Sequence, residues 1–289
     1  MPLTPVVALP RLGPDEPQQD KLRYANDRAD LGLSLISFGN HTPRAATGAA
    51  ALKEQAALEV LAAALGQGNG SRLNQVLREK NAIVSSVKAD YDPLSPAGLF
   101  TVHLAVPADR IDRAEGEYFR EIERFRRELL SEGELQRARI TVEKNQMDRT
   151  LTIQDEAELL AGYQANYGDF RYLDSHFGRI KAITPKEIQE VAARYFVLGN
   201  TSVHEYEPRT AAPRTFVAEK FAEAIAILAP GTVQQIKPED VKAAVSLKKF
   251  TPGNERDSGI DTEKVIFVPL PLPVKDFSIY RGPRAFVRE

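Results

Sequence analysis

A chain of 289 residues with 43% hydrophobic and 27% charged side chains can bury a real core without disulfide or metal staples. Its 38 basic and 40 acidic residues are interspersed and leave a formal charge of -2, which removes the electrostatic case for nucleic acid or an anionic membrane surface. The absence of cysteine excludes thiol catalysis, disulfides and cysteine-ligated zinc, and no run approaches the ~20 apolar residues that span a bilayer.

Residues 1–22 open with MPLTPVVALPRLGPDEPQQ, which lacks the basic start and apolar centre of a signal peptide and reads as a Pro-rich linker. From Leu31 to Phe38 apolar and small residues alternate, predicting a strand with one buried face. Asn40 to Gly48 reads as a loop, leaving His41 as solvated surface. Leu52, Ala56, Val60 and Ala64 then share one face of a helix, widened by Leu58, Leu61 and Leu65. Gly66, Gly68 and Gly70 end it, because glycine tolerates the positive φ of a helix terminus. Ser71 is placed to cap a second helix reaching Lys80, with Asn74 three residues on. Ile83 to Asp90 follows as a strand.

Asp92-Pro93 and Ser95-Pro96 mark the loop of a hairpin whose second strand runs from Leu99 to Pro107. There Phe100, Val102, Leu104 and Val106 alternate with Thr101, His103 and Ala105, so one face is packed and the other is polar. Asp109 is expected to cap a helix with the stripe Ile111, Ala114, Tyr118, Ile122, Phe125 and Leu129. Ser131 and Glu134 form a capping box for the next, through Leu135, Ala138, Val142 and Met147. A further helix spans Ile153 to Tyr167, closed by Gly168. Thr184 and Glu187 form a second box, with Pro185 at the first helical position, and that helix reaches about Phe196. Thr201 to Tyr206 returns as a strand.

Helices clustered after a hairpin point to an α+β fold rather than a doubly wound sheet. Past Pro208 the pattern gives an amphipathic helix from Phe216 to Leu228 and a short one from Pro238. A polar loop from Thr251 to Thr262 and a proline-interrupted extended stretch from Val265 to Val274 follow. The organisation is thus a linker over 1–22, a domain over 23–208, and an extension over 209–289 towards a following unit.

A thermolysin-like or pitrilysin-like zinc site needs two histidines at helical spacing with a glutamate between them. His41, His103, His176 and His204 lie far apart in sequence, and His204-Glu-Tyr-Glu207 is a strand without a second histidine, so no metal ligands are assigned. The glycine run follows a helix and lacks a closing Lys-Ser or Lys-Thr, which makes it a tight turn rather than a phosphate loop. No serine stands in a Gly-x-Ser-x-Gly frame. An independent hydrolase built on His103 and nearby carboxylates is the remaining, third-ranked chemistry.

The run ALGQGNGSRLNQVLREKNAIVSSV resembles the signature of the second, non-zinc half of the pitrilysin/insulinase family of zinc metallopeptidases: a glycine loop, Ser-Arg-Leu, Arg-Glu-Lys, then a strand. SEGELQRARITVEKNQ, ITPKEIQEVAARYF and a strand from Asn200 repeat that family's order of elements, so the resemblance covers Arg23 to Pro208. It implies a two-layer roll with a mainly antiparallel sheet and helices packed on one face. It further implies a non-catalytic half-domain forming one wall of a peptide-binding chamber, with no cofactor of its own. Zinc would come from a zinc-bearing half-domain in the parent chain or a partner subunit; the substrate would be peptide, and the place periplasmic or secreted if the source is bacterial.

In active family members the second half supplies an arginine and, seven residues later, a tyrosine that bind substrate across from the zinc. Arg78 matches the arginine, but Ser85 occupies the tyrosine position, and its short hydroxyl cannot donate to the same oxyanion position. Tyr91 is no substitute, since six strand residues carry it about 20 Å along. The resemblance therefore assigns substrate-binding positions at Arg78 and Ser85 and no catalytic residue. Ser85 also favours an alternative, a non-peptidase structural or assembly subunit of the same fold, like those of respiratory complexes.

Overall fold

The computed structural model describes residues 19, 22–94, 97–211 and 245–247, the last as backbone alone. In chain order come β1 (Leu22–Ala29), β2 (Ser34–Thr42), α1 (Ala49–Gly66), a π-helical turn (Asn74–Lys80), β3 (Ser86–Asp92) and β4 (Gly98–Val106). Then follow α2 (Ile111–Arg127), α3 (Glu132–Asp148), α4 (Ile153–Tyr167), α5 (His176–Ala182), α6 (Pro185–Tyr195), β5 (Thr201–Pro208) and β6 (Val245–Leu247). The strands form one sheet in the order β3-β4-β2-β5-β1-β6. Pairing is antiparallel from β3 to β5 and parallel where β1 joins β5 and β6. This is the α+β, mainly antiparallel architecture expected from the sequence, with one strand contributed from beyond Pro208.

One sheet face carries the core: Tyr24, Ile36, Phe38, Ala89, Phe100, Val102, Leu104 and Val203 are all buried against the helices. Phe38 stacks on Tyr118 of α2 at 3.6 Å between ring centroids, and Phe100 meets Phe196 edge-on at 4.9 Å. The alternate residues of the same strands are partly or fully exposed. α1 is the central helix, packed on β3, α3, α5 and α6 and buried around its circumference from Val60 to Gly66. A helix apolar on all sides is stable only inside a fold. Its last residue comes so close to β3 that a Cβ on Gly66 would sit 2.6 Å from the Ala89 Cβ, so only glycine fits there. Gly68 then takes the left-handed φ of +73° that turns the chain.

Several local expectations are met in detail. Ser131 with Glu134 and Thr184 with Glu187 form complete capping boxes, Pro185 sits at the start of α6, and Gly168 closes α4 with φ +77°. Others are corrected. β1 and α5 were not expected, and His41 lies within β2 rather than in a loop. Ser71 caps no backbone N–H: its hydroxyl donates to the Gly68 carbonyl and accepts from the Asn74 amide. β3 begins at Ser86 rather than Ile83, because the N–H groups of Ile83 and Val84 both turn back to the Leu77 carbonyl. Asp109 lies in a 3-10 turn before α2 and makes no cap. Leu129 lies past the end of α2 and is exposed, as is Met147, while Gln146 is buried because it continues the Leu135, Ala138, Val142 period. The segments read at Phe216–Leu228, Pro238, Thr251–Thr262 and Val265–Val274 lie outside the described residues.

Candidate functional site

The sheet face turned away from the helices gathers side chains that no sequence spacing brings together. Strand register places Ala25, His204, Ser37, His103 and Lys88 in one row across β1, β5, β2, β4 and β3. Ser37 Oγ lies 2.9 Å from His103 Nδ1, and His204 Nε2 lies 2.8 Å from an Asp27 carboxylate oxygen. The adjacent row brings Tyr206 beside His204, with ring centroids 4.1 Å apart, and leaves Leu35 exposed. The result is a polar strip bordered by aromatic and aliphatic surface, suited to hydrogen-bonding an extended chain while packing its apolar side chains.

The Ser37–His103 contact has the geometry of a nucleophile and its base. Yet Ser37 stands in mid-strand, where the neighbouring backbone N–H groups belong to the sheet ladder and leave no donor pair for an oxyanion. The residue facing His103 on its far side is Lys88, itself 2.9 Å from Asp90, so no carboxylate among the described residues orients the imidazole. Among the described residues the strip therefore lacks the parts of a hydrolytic site, which leaves the hydrolase reading without a mechanism. His103 was legible as an exposed strand histidine; its pairing with Ser37 was not.

Arg78 lies in the π-helical turn with 46% of its side chain exposed and, among the described residues, a 3.9 Å contact to Glu79 as its one ion pair. Its guanidinium is available to an outside acceptor. Ser85 is exposed just before β3, with its N–H donating to the Ala105 carbonyl at 2.8 Å. The other arginine of the motif is structural. Arg72 holds Glu134 at 2.7 Å and lies 4.6 Å over the Phe125 ring, tying the turn after the glycine loop to α3 and α2. Its hydrogen bonds pull the Glu134 carboxyl down to about 2. The glycine loop is pinned by side-chain amides, Gln67 donating to the Ala89 carbonyl and Gln75 to that of Asn69.

Of the remaining histidines, His176 is buried between Tyr163 and Glu59, and His204 pairs with Asp27. Among the described residues no three His, Cys, Asp or Glu side chains converge as metal ligands. No described helix is long and apolar enough to cross a membrane.

Comparison with known proteins shows what this chain is similar to. The family model for the peptidase M16 inactive domain matches residues 9–142. An uncharacterized zinc protease from Rickettsia bellii is 27% identical over 133 residues, 46% of this chain and 29% of that protein. Among solved structures, a protease from Helicobacter pylori superposes with a TM-score of 0.60 at 21% identity, over 67% of this chain and 46% of that one. A peptidase M16 inactive domain from Pseudomonas fluorescens gives 0.57 at 16%, over 69% and 47%. A chain of Complex III2 from Candida albicans gives 0.56 at 16%, over 77% and 49%. The matches thus span less than half of each of these proteins, and at such identities the structures establish the fold alone.

Proposed function

We propose that this chain, whose residues 9–142 match the peptidase M16 inactive domain, is the non-catalytic half of a zinc metallopeptidase, one wall of a chamber that holds peptide. The observation that carries the reading is the strip Ser37, His103 and His204 on the sheet face opposite the helices. Hydrogen-bonding groups and partly exposed apolar residues on one sheet face suit a peptide of varied sequence better than a compact ligand. Zinc, general base and attacking water belong to a second half-domain, in the parent chain or a partner subunit. Arg78 contributes an exposed guanidinium to substrate, and Ser85 leaves the neighbouring donor position short.

The chain has no native cysteine, so one placed at Thr101, on the same face as His103, gives a single reporter. When the chain is mixed with a zinc-bearing half and a non-cleaved peptide, alkylation of that cysteine should slow. Unchanged alkylation in a peptide-bound complex would remove the chamber wall. A second reading, an assembly subunit without turnover, draws on Ser85 and on the Complex III2 likeness in fold. Stable association with no stimulation of peptide cleavage is its signature.

A further inference from the structure

Beneath α4, within the helix layer and so on the other side of the sheet from the strip, lies a cavity of about 210 Å³. α4 covers it loosely, for Leu159 is its single buried residue. Two tyrosines one turn apart tether the helix to the body. Tyr167 donates to Gln55 Oε1 of α1 at 2.7 Å, and the Tyr163 hydroxyl lies 3.1 Å from His176 Nδ1 of α5. Tyr91 from β3 completes an aromatic wall. Burial, reinforced by the Glu59 charge, lifts all three phenols above their ordinary range, Tyr167 to about 12, so each keeps its proton as a donor.

Charges of both signs face this space: Glu59 and Asp92 on one side of the balance, Arg149 and Arg179 on the other. Arg179 is already engaged, donating to Ser175 Oγ and to the Tyr172 carbonyl. Arg149 is exposed and has no carboxylate within ion-pairing distance among the described residues. Three buried polar atoms of the lining residues lack a hydrogen-bond partner: Tyr91 Oη, Gln146 Nε2 and His176 Nε2. The last sits 3.4 Å from Glu59, too far for a strong bond. Orphaned polar atoms are rare in a settled core, and three around one cavity mark a place where partners arrive from outside.

We infer that this cavity binds a free α-amino acid. The ammonium group meets the Glu59 carboxylate. The carboxylate meets Arg149, the Gln146 amide and the Tyr91 hydroxyl, and the side chain lies against the Tyr163 and Tyr167 rings. The balance of charge selects the zwitterion: a simple amine would face two guanidinium groups, and a simple acid would face Glu59 and Asp92. The volume admits a molecule of amino-acid size and excludes a folded partner. This inference does not rest on the chamber reading, since the site lies in the helix layer.

The test is calorimetry and thermal unfolding of the full chain with L-alanine, L-phenylalanine, phenethylamine and hydrocinnamate as probes. At least one amino acid should bind and raise Tm, with the amine and the acid at least roughly tenfold weaker. Arg149→Ala, at an exposed position that leaves the unliganded Tm unchanged, should weaken binding roughly tenfold, and Glu59→Gln should do the same. Failure of both amino acids to bind, equal binding of the amine or the acid, or full affinity in the Arg149 variant would overturn the site.

Discussion

The guanidinium of Arg72 donates to both carboxylate oxygens of Glu134, at 2.7 and 3.3 Å, and so joins the turn after the glycine loop to the first turn of α3. The Glu134 carboxyl lies below its unfolded value of 4.5, at about 2, chiefly through the Arg72 hydrogen bond. A folded-state pKa below the unfolded one gives stability that is complete above about pH 4.5 and drains away as pH falls towards 2. Allowing for solvent screening at this partly exposed pair, the loss is about 1–2 kcal/mol. Glu134→Gln retains a side chain that can close the capping box while removing the charge. Urea unfolding of that variant should show a flatter pH dependence between 2 and 4.5 than the unmodified chain; parallel curves would place the acid sensitivity elsewhere.

At the other end of the glycine loop the limit is steric. A methyl at Gly66 meets the Ala89 Cβ at 2.6 Å and its backbone nitrogen at 3.0 Å, where neither α1 nor β3 can yield without shifting the core. Gly66→Ala should cost about 1–3 kcal/mol by overpacking, read as a lowered Tm. Combining it with Ala89→Gly should recover part of that loss, because the nearest clashing atom is gone. Gly98→Ala has no such remedy, since the added carbon meets the Pro43 carbonyl.

What the sequence revealed and what it hid divide along range. The capping boxes at Ser131 and Thr184 and the Gly168 stop were legible because each is written within a few residues. β1 was not, because Arg23, Asn26, Asp27 and Arg28 give it the look of a polar lead-in. It is a strand through pairing with β5, some 180 residues later, where Tyr24 and Asn26 both donate to Glu205. The strip shows the same limit. Each of Ser37, His103 and His204 is ordinary in its own segment, and only register makes them neighbours. Gln146 was passed over for Met147 because composition outranked period by a single residue.

The cap of α6 offers a local control against these long-range effects. Thr184 Oγ1 accepts from the Glu187 N–H, and Glu187 in turn accepts from the Thr184 N–H. Thr184→Ala should lower stability by about 1 kcal/mol without altering the sheet, whereas a residue with a short acceptor, Thr184→Ser, should hold it nearly unchanged. Denaturant midpoints at constant slope distinguish the two.

Ser85 offers the sharpest choice between a working chamber wall and an assembly subunit. Its side chain is exposed, and its one ladder bond, to the Ala105 carbonyl, is made by the backbone. Ser85→Tyr therefore extends a phenol from the same point without breaking a contact, and Tm should stay the same. Removing a single transition-state donor commonly costs about 10²–10³ in rate, which bounds what restoring one can return. If the Ser85 position still addresses substrate bound to a zinc-bearing half, Ser85→Tyr should raise kcat in the mixed complex with little change in KM, since the donor acts on the reacting centre rather than on binding. On the same premise Arg78→Ala should act in the opposite sense, raising KM by removing the guanidinium proposed to meet the bound chain. A complex that assembles equally well with every variant and whose turnover responds to none of them places this chain among the non-peptidase subunits of its fold.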